Sequence, residues 1–352
     1  MTLPIQAIGW GRSQPEPYYK WQLLENPSNM PTMDSTTKMQ MKKDASSIIF
    51  SSSTPLRMLY GMKNDGGVLT LSGSFFINYA VSSLGVSDDF RVIAAAIGFF
   101  SPHLYLFHYD GSTFAPIQYT SSQIDANVNE CAISGDGKIV AANVGYSKLC
   151  FLAYNEQTDQ WEDQPRTFDV PTPNPRALFL SRDGSRMTCA VGGVLQGDSF
   201  FEYKLNESTM VMERQDTSEL PTSIMSKSLL SLRYLDDGLA VIASSNPLSQ
   251  GGVCLIRNVN GSWQQQLLAY ENAPAYFNVV QGGISDNLHT VAVAFFNNDS
   301  PPGAYSLRGD SYVETTGIQA AGTINGLCLS AKGNYIAMAS QGSGLMLYKG
   351  IR

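Results

Sequence analysis

The sequence predicts an all-β protein, a seven-bladed β-propeller of four-stranded antiparallel blades. A short turn phrase recurs at intervals of about 45 to 54 residues, and a strand of β-branched and small apolar residues follows each copy. Between the copies, further strands of four to eight residues are separated by Gly, Asn, Asp and Ser. A propeller blade needs roughly 40 to 50 residues, and meandering hairpins need such turn residues.

The clearest copies of the phrase are 134–137, 181–184 and 330–333, each opening on Ser and closing on Gly. Weaker copies begin at Ser87, Leu235 and Ser285, and one period before Ser87 lies a further copy near Lys42. The sequence therefore predicts seven units with starts near 42, 87, 134, 181, 235, 285 and 330.

Each unit shows four strands, which we name a to d in chain order. Strand a precedes the turn, strand b follows it, and strand c is rich in aromatic residues. Strand d opens on an aromatic residue that lies ahead of the next turn, and its copies are Phe114, Trp161, Trp263 and Tyr312.

The last unit lacks a strand d, because the chain ends at Arg352 shortly after a strand c over 345–348. The stretch 18–24 resembles a strand d, and Trp21 stands at the same interval from the following unit as Trp161 and Trp263. We therefore expect one propeller over 18–352, closed by this N-terminal strand. The alternative is that 18–24 is an edge strand elsewhere.

Charged residues make up 15% of the chain, against roughly 25% in an average soluble protein. The formal net charge is −7 and no cluster of Lys and Arg occurs, which argues against binding to nucleic acid. A neutral polar surface of this kind suits proteins of assemblies or of the cell exterior, and it also arises from high β content.

Targeting signals and cysteines favour a protein that folds in the cytoplasm. No apolar segment approaches the roughly 20 residues of a membrane span, so no membrane insertion is expected. The N-terminus has no basic leader and no signal-like apolar run, so no signal peptide is expected. The odd number of cysteines, placed in separate apolar strands, predicts reduced structural thiols: Cys131, Cys150, Cys189, Cys254 and Cys328.

The two ends of the strands carry different connections. The a–b turns are short and rich in Asp and Gly, whereas the b–c and d–a connections are long and rich in Pro, Asn and Ser. Because long loops on a rigid scaffold concentrate binding residues, we expect partners to bind on the long-loop side. The alternative is that the loops simply vary in length. The candidate contact residues there are Tyr276, Phe295, Phe296, Asn297 and Asn298.

Residues 1–17 fall outside the blades and form an N-terminal extension or arm. The apolar stretch from Ile5 to Trp10 predicts that something covers it, since free termini rarely carry such a run. It either docks on its own ring as an additional strand or reaches a neighbouring subunit, and disorder is the remaining alternative. Trp10 is the candidate anchor.

Catalytic and metal-binding patterns are not recognisable in the chain, so no catalytic residue, metal site or cofactor is predicted. His103 and His108 are an odd number of positions apart at a strand c, which places them on opposite faces, and His289 is expected in a solvated turn. The Asp-Gly pairs of the turns lack the alternating carboxylates of a calcium loop and are read as turn residues.

The Ser-x-Asp-Gly turn of 134–137 and 181–184, followed by a strand, resembles the turns of WD-repeat and lactonase-type seven-bladed propellers. The resemblance spans nearly the whole chain and implies the architecture. The Gly-His and Trp-Asp dipeptides of WD repeats do not occur, and neither does a recognisable carboxylate, His and Arg set of the propeller lactonases.

The sequence thus favours a non-catalytic interaction module that binds other protein subunits in a homo- or hetero-assembly. Its low charge and lack of a signal also fit a structural component of a phage or virus particle. Two alternatives stay open: a glycan-binding, lectin-like propeller, and an enzyme acting on a sugar or lactone. The candidate residues of such an enzyme are Asp125, Glu130, Arg176, Glu271 and Asp299.

Overall fold

The fold is all-β and belongs to the β-propellers. A computed structural model describes the following residues: 18, 20–24, 33, 37–53, 56–98, 103–117, 124, 126–145, 147–163, 168–169, 175–191, 200–206, 208–209, 211–215, 227–235, 238–245, 253–259, 262–268, 279–295, 302–308, 311–319, 322–341 and 343–352. These residues form seven antiparallel sheets, which we call blades 1 to 7 in chain order. No helix that could cross a bilayer occurs in this described part of the chain.

Blades 1 to 3 follow one another as simple meanders. Blade 3 has a fifth strand, which pairs with strand c beside strand d. The strands are β2 (Met39–Met41), β3 (Ser47–Ser52), β4 (Met58–Asp65), β5 (Val68–Phe76), β6 (Ser83–Val86), β7 (Val92–Ala96), β8 (Leu104–Tyr109), β9 (Phe114–Pro116), β10 (Cys131–Ile133), β11 (Ile139–Val144), β12 (Lys148–Asn155), β13 (Gln160–Asp163) and β14 (Phe168–Asp169).

Blades 4 to 6 repeat the meander, and blade 7 takes its outer strand from the N-terminus. The strands are β15 (Pro175–Leu180), β16 (Arg186–Val191), β17 (Phe200–Asn206), β18 (Val211–Arg214), β19 (Lys227–Leu235), β20 (Gly238–Ser245), β21 (Val253–Val259), β22 (Ser262–Leu268), β23 (Val279–Ile284), β24 (Thr290–Phe295), β25 (Gly303–Arg308), β26 (Ser311–Thr315), β27 (Ile324–Leu329), β28 (Tyr335–Ser340), β29 (Gly344–Ile351) and β1 (Lys20–Leu23).

The inner strand of each blade contacts the inner strands of the blades before and after it. The contacts run in order from β2 through β6, β10, β15, β19, β23 and β27, and β27 contacts β2 in turn. The sheets are therefore arranged around one axis, and the core lies in layers between successive blades.

The second strand of each blade explains why the sequence reads there as a continuous apolar run. Ile93, Ala94, Ala95 and Ala96 of β7 are all fully buried, and so is β11 along its length. A strand covered on both faces favours apolar residues at consecutive rather than alternate positions, and a buried polar residue such as Asn143 of β11 needs hydrogen-bond partners. The small alanines also let neighbouring blades approach closely.

Strand β1 joins the outer edge of blade 7 by antiparallel pairing with β29, and Lys20 lies opposite Ile351. Trp21 is 1% exposed, and its indole N–H donates to the Thr315 hydroxyl at 2.8 Å. Its backbone N–H donates to the carbonyl of Thr316 at 2.8 Å. Trp21 therefore attaches the start of the described chain to blades 6 and 7 together.

Deleting residues 1–25 is expected to make the protein insoluble or strongly destabilised, because β29 would become an unpaired apolar edge. Deleting residues 1–17 is the comparison, since it leaves β1 paired with β29, and it is expected to destabilise the protein less. Thermal unfolding and the soluble yield measure both truncations. An unchanged melting temperature after removal of residues 1–25 would contradict the structural role of β1.

Candidate functional site

The ring has two faces, which we name by their connections. The short-turn face carries the a–b turns 42–46, 87–91, 134–138, 181–185, 285–289 and 330–334 together with the c–d turns. The long-loop face carries the b–c and d–a connections, among them 24–38, 117–130, 269–278 and 296–302. All six of these a–b turns lie within the described residues.

Five a–b turns share one hydrogen-bond pattern that is centred on a buried serine. In the turn of blade 3, the Ser134 hydroxyl accepts the N–H of Ile139 at 3.0 Å and donates to the Asp136 carboxylate at 2.5 Å. The Ser134 N–H donates to the Ile139 carbonyl at 2.8 Å. In the other four turns a serine hydroxyl likewise accepts the N–H five residues ahead, and the pairs are Ser87 with Val92, Ser181 with Arg186, Ser285 with Thr290, and Ser330 with Tyr335.

The fourth residue of the turn adopts a left-handed backbone. Gly137 and Gly184 have φ of 75° and 72°, and the equivalent Phe90 and Leu288 have φ of 65° and 57°. A side chain in this region costs about 1 kcal/mol or more, so glycine is preferred. Burial of the Phe90 and Leu288 side chains and the serine hydrogen bonds offset this cost. The turns at Ser87 and Ser285, which looked weak in the sequence, therefore have the same geometry.

Backbone hydrogen bonds connect neighbouring turns around the axis. On one side the Asn287 N–H donates to the carbonyl of Ala331 at 3.4 Å, and the Ala331 N–H donates to the carbonyl of Lys43 at 3.0 Å. On the other side the Asp88 N–H donates to the carbonyl of Gly135 at 2.8 Å, and the Asp136 N–H donates to the backbone carbonyl of Arg182 at 3.1 Å. Two runs of three turns each, on blades 6, 7 and 1 and on blades 2, 3 and 4, are thus linked.

Ion pairs join these two runs. Lys43 Nζ lies 2.7 Å from Asp88 Oδ2 and 3.6 Å from Asp286 Oδ2, and Arg182 Nε lies 2.9 Å from the same Asp88 oxygen. The Lys43 and Asp286 pair connects blades 1 and 6, and the Arg182 and Asp88 pair connects blades 2 and 4. Because these blades are not neighbours, the four side chains lie across the centre of the ring. We call Lys43, Asp88, Arg182 and Asp286 the axial network.

The turn carboxylates are engaged in structural hydrogen bonds. Asp183 accepts the Ser181 hydroxyl at 2.7 Å and the Ser185 N–H at 3.0 Å. Partial burial raises the pKa of Asp183, but the hydrogen bonds from Ser181 and Ser185 outweigh it and lower the pKa below its usual value. Within the described residues, no group of three or more His, Cys, Asp and Glu is placed to hold a metal ion.

Four of the described cysteines are buried and are not part of a disulfide: Cys131, Cys150, Cys189 and Cys328. Burial raises the pKa of Cys131 and Cys189 to about 12 in each case. Because the thiolate is the nucleophile, these two side chains are inert at neutral pH. Cys254 lies in β21.

One histidine differs from expectation. The sequence placed His289 in a solvated turn, but the side chain is 2% exposed, and its ring lies 5.5 Å from the Tyr18 ring in an edge-on contact. The prediction was wrong because Tyr18, which precedes β1, packs against the His289 ring. His103 precedes β8 and its Nδ1 lies 3.0 Å from the Gly98 carbonyl oxygen, whereas His108 is exposed in β8.

At the long-loop end of blades 1 and 3, a side chain of strand b accepts backbone N–H groups of the residues that precede strand a. Asn143 is fully buried, and its amide oxygen accepts the N–H groups of Asn129 and Glu130 at 2.8 and 2.7 Å. Ser51 takes the same position in blade 1 and accepts the N–H of Lys38 at 3.0 Å. These bonds fix where the long d–a connections meet the rigid ring.

The predicted contact residues fall mostly outside the described part of the chain, so they stay predictions. Phe295 is the last residue of β24, at the long-loop end of blade 6. The residues that lie outside the description are Trp10, Tyr276, Phe296, Asn297 and Asn298.

Sequence reasoning missed the axial network. Its four members occupy one position of the repeat, directly after the first residue of the turn. The available signal was that this position carries charges of both signs, Lys43 and Arg182 against Asp88 and Asp286. A charge in a turn is ordinarily solvated, so the position alone does not indicate an ion pair.

Comparisons with known proteins identify a fold but no family. No family model matches the chain, and no curated protein matches its sequence. Solved structures do match. Hydrazine synthase of Kuenenia stuttgartiensis has a TM-score of 0.66 at 11% identity, covering 92% of this chain and 96% of that chain.

Two WD40-type structures match as well. The RRP9 WD40 repeats have a TM-score of 0.60 at 11% identity, over 95% of this chain and 99% of that chain. The β-propeller domain of Cps50 (Swd1) of Myceliophteria thermophila has a TM-score of 0.60 at 10% identity, over 94% and 100%. At such identities the likeness shows the propeller fold alone.

Replacing Asp88 by Asn is expected to lower the free energy of unfolding by about 1 kcal/mol, because two partly exposed ion pairs are lost. The loss should shrink at high salt, where charges are screened. Denaturant unfolding measures it. Glu156→Gln is the control, since Glu156 pairs with Lys138 at a more exposed site outside the axial network and should leave stability unchanged. Equal stability of the two variants would contradict the role of the axial network.

Cys131 and Cys189 are expected to resist alkylation by iodoacetamide in the native protein at mildly alkaline pH and to react after unfolding. Mass spectrometry of the labelled peptides measures this for each cysteine. Reductant and chelator should leave the melting temperature unchanged. Rapid labelling of these thiols in the native state, or a shift in migration on a non-reducing gel, would contradict buried reduced cysteines.

Proposed function

We propose that this protein is a non-catalytic interaction module that binds other protein subunits through its long-loop face. The observation that carries the proposal is the difference between the two faces. The short turns are tied to one another around the axis, and the long connections start and end on a rigid ring. Loops held by such a scaffold are well suited to recognition.

The short-turn face is a poor alternative, because its polar groups are already used. The turn amides donate to neighbouring turns, and the Asp88 carboxylate is shared between Lys43 and Arg182. A partner that took these groups would have to replace existing bonds. Such exchange brings little net affinity.

The long-loop face offers residue types that dominate interfaces. Connections 269–278 and 296–302 both meet blade 6, before β23 and between β24 and β25. Their sequences contain the candidate contact residues Tyr276, Phe296, Asn297 and Asn298, and Phe295 ends β24. Aromatic anchors flanked by amides are typical of protein contacts and also of sugar binding.

The enzyme alternative lacks a supporting arrangement. Glu130 directly precedes β10, and Arg176 lies in β15, while the other three candidates fall outside the described residues. One of the similar structures is named as an enzyme, hydrazine synthase, and the other two are propellers of the WD40 type. Fold alone therefore does not choose between the two classes.

A role as a structural component of a phage or virus particle remains a prediction from composition. The identification of the neighbouring genes would test it. Flanking capsid or tail genes are the expected result, and a neighbourhood of metabolic genes would contradict it.

Photo-crosslinking in the source cells tests the binding face. A crosslinking residue at Asn298 should capture a protein partner, whereas the same residue at Lys332 on the short-turn face should not. The captured protein, once purified, should bind the wild type directly, and Tyr276→Ala should weaken this binding at least about tenfold. Capture from Lys332 alone would contradict the proposal.

The purified protein also distinguishes the other two functions. We expect no binding on a glycan array and no turnover of lactones or glycosides. Glycan binding without turnover would replace the proposal by a lectin-like function. Turnover that is lost with Glu130→Gln would replace it by catalysis.

A further inference from the structure

Strand β5, the outer strand of blade 1, has an unusual exposed edge. It runs over nine residues, Val68–Phe76, and its far side pairs with no strand among the described residues. It contains neither a charged residue nor a proline. Val68, Leu71 and Phe76 are 53%, 56% and 53% exposed, so the edge is apolar as well as unpaired.

Other outer strands carry features that discourage pairing. β13 contains Glu162 and Asp163, β18 contains Glu213 and Arg214, and β26 contains Glu314. β9 is short and ends in a proline, and β22 has no charge but three glutamines. Charges, prolines and short length are the ordinary protection of sheet edges. Among the outer strands whose side-chain burial is described, β5 alone combines nine residues and exposed apolar side chains with no charge and no proline, and its one irregularity is a bulge opposite Gly61 and Met62.

The chain itself contains a segment with matching properties. Residues 1–11 carry no charged side chain, and the first charge is Arg12. Within this segment Leu3, Ile5, Ile8 and Trp10 are large and apolar. An uncharged apolar strand is the complement of an uncharged apolar edge, whereas a charged strand would lose hydration there without a partner.

The position of β1 puts this segment within reach of β5. β1 is the outer strand of blade 7, next to blade 1, and a Cβ placed on Gly67 would lie 3.1 Å from Leu24 Cδ1. The end of β1 therefore adjoins the start of β5. From Lys20 to Leu24 the strand covers about 13 Å. Residues 11–17 can span up to about 23 Å, and their two prolines favour an extended chain.

We propose that residues 3–10 add to β5 of the same chain as an antiparallel fifth strand of blade 1, with Trp10 near Val68 and Leu3 near Phe75. The antiparallel direction follows from the connection to β1. Residue 10 has to lie near the start of β5, which adjoins β1, so that residues 11–17 can reach Tyr18. A second copy could offer the same segment, but a tethered segment acts at a far higher effective concentration. The inference does not depend on the proposed function.

Hydrogen–deuterium exchange of the full-length protein tests this pairing. Amides of residues 3 and 5–10 and those on the outer edge of β5 should exchange at least about tenfold more slowly than in the unpaired state, which a deletion of residues 1–11 provides for β5. Pro4 has no N–H and gives no signal. Leu71→Lys should abolish the protection of residues 3–10. Val313→Lys is the matched control, since Val313 is an exposed residue of the outer strand β26, and it should change nothing.

A crosslink gives an independent readout that does not rely on the Leu71→Lys variant folding well. The pair Trp10→Cys and Val68→Cys should form a disulfide within one chain under oxidation, and the pair Trp10→Cys and Val211→Cys should not. The four native thiols described above are buried and should not compete.

Several results would overturn the proposal. Rapid exchange of residues 3–10 in the full chain would show that the segment is not paired. Crosslinks between chains, or protection that rises with protein concentration together with a dimer mass, would assign the edge to a second copy. Crosslinking to Val211 as efficient as to Val68 would show no preference for β5.

Discussion

The pairing of β1 with β29 is the constraint on which the rest of the structure depends. Blade 7 reaches its full set of four strands only because its outer strand comes from the opposite end of the chain. Trp21 makes this strand specific, because its indole N–H reaches Thr315 of the preceding blade. Backbone bonds therefore join β1 to the C-terminal strand β29, and the Trp21 side chain adds a bond to blade 6.

Within the closed ring, each of the five serine-centred turns satisfies a backbone N–H in the same way. Each must reverse the chain tightly at the centre of a crowded ring, where an unpaired buried N–H would cost about 1–3 kcal/mol. The serine hydroxyl supplies an acceptor inside the turn, and the turn amides that remain donate to neighbouring turns. The axial network then connects the two runs of turns. Turn amides and the Asp88 carboxylate on this face are thereby engaged in structural bonds, which is why we propose that partners bind on the opposite face.

Much of this fold could be predicted because its causes are local. The Ser-x-Asp-Gly phrase sets a turn through its own hydrogen bonds, and an apolar run marks a strand buried on both faces. Trp21 could be aligned with Trp161 for the same reason. The axial network could not be predicted, because which side chains meet across a ring depends on the arrangement of non-adjacent blades. His289 was misplaced because its cover, Tyr18, is remote in the sequence.

The most direct test of ring closure compares two tryptophans that hold the same place in their blades. The Trp21 indole N–H donates to Thr315, whereas the Trp161 N–H is buried and finds no acceptor among the described residues. The position equivalent to Thr315 is Ile117, which packs against the same cluster as Trp161. Replacing either tryptophan by Phe removes a similar volume, so the difference isolates the hydrogen bond.

That comparison should be made as the free energy of unfolding of Trp21→Phe and Trp161→Phe in the full-length protein. We expect Trp21→Phe to be more destabilising than Trp161→Phe by about 1 kcal/mol, the net contribution of one buried hydrogen bond. Equal losses, or a larger loss for Trp161→Phe, would contradict an N-terminal strand that is anchored into the ring through Trp21.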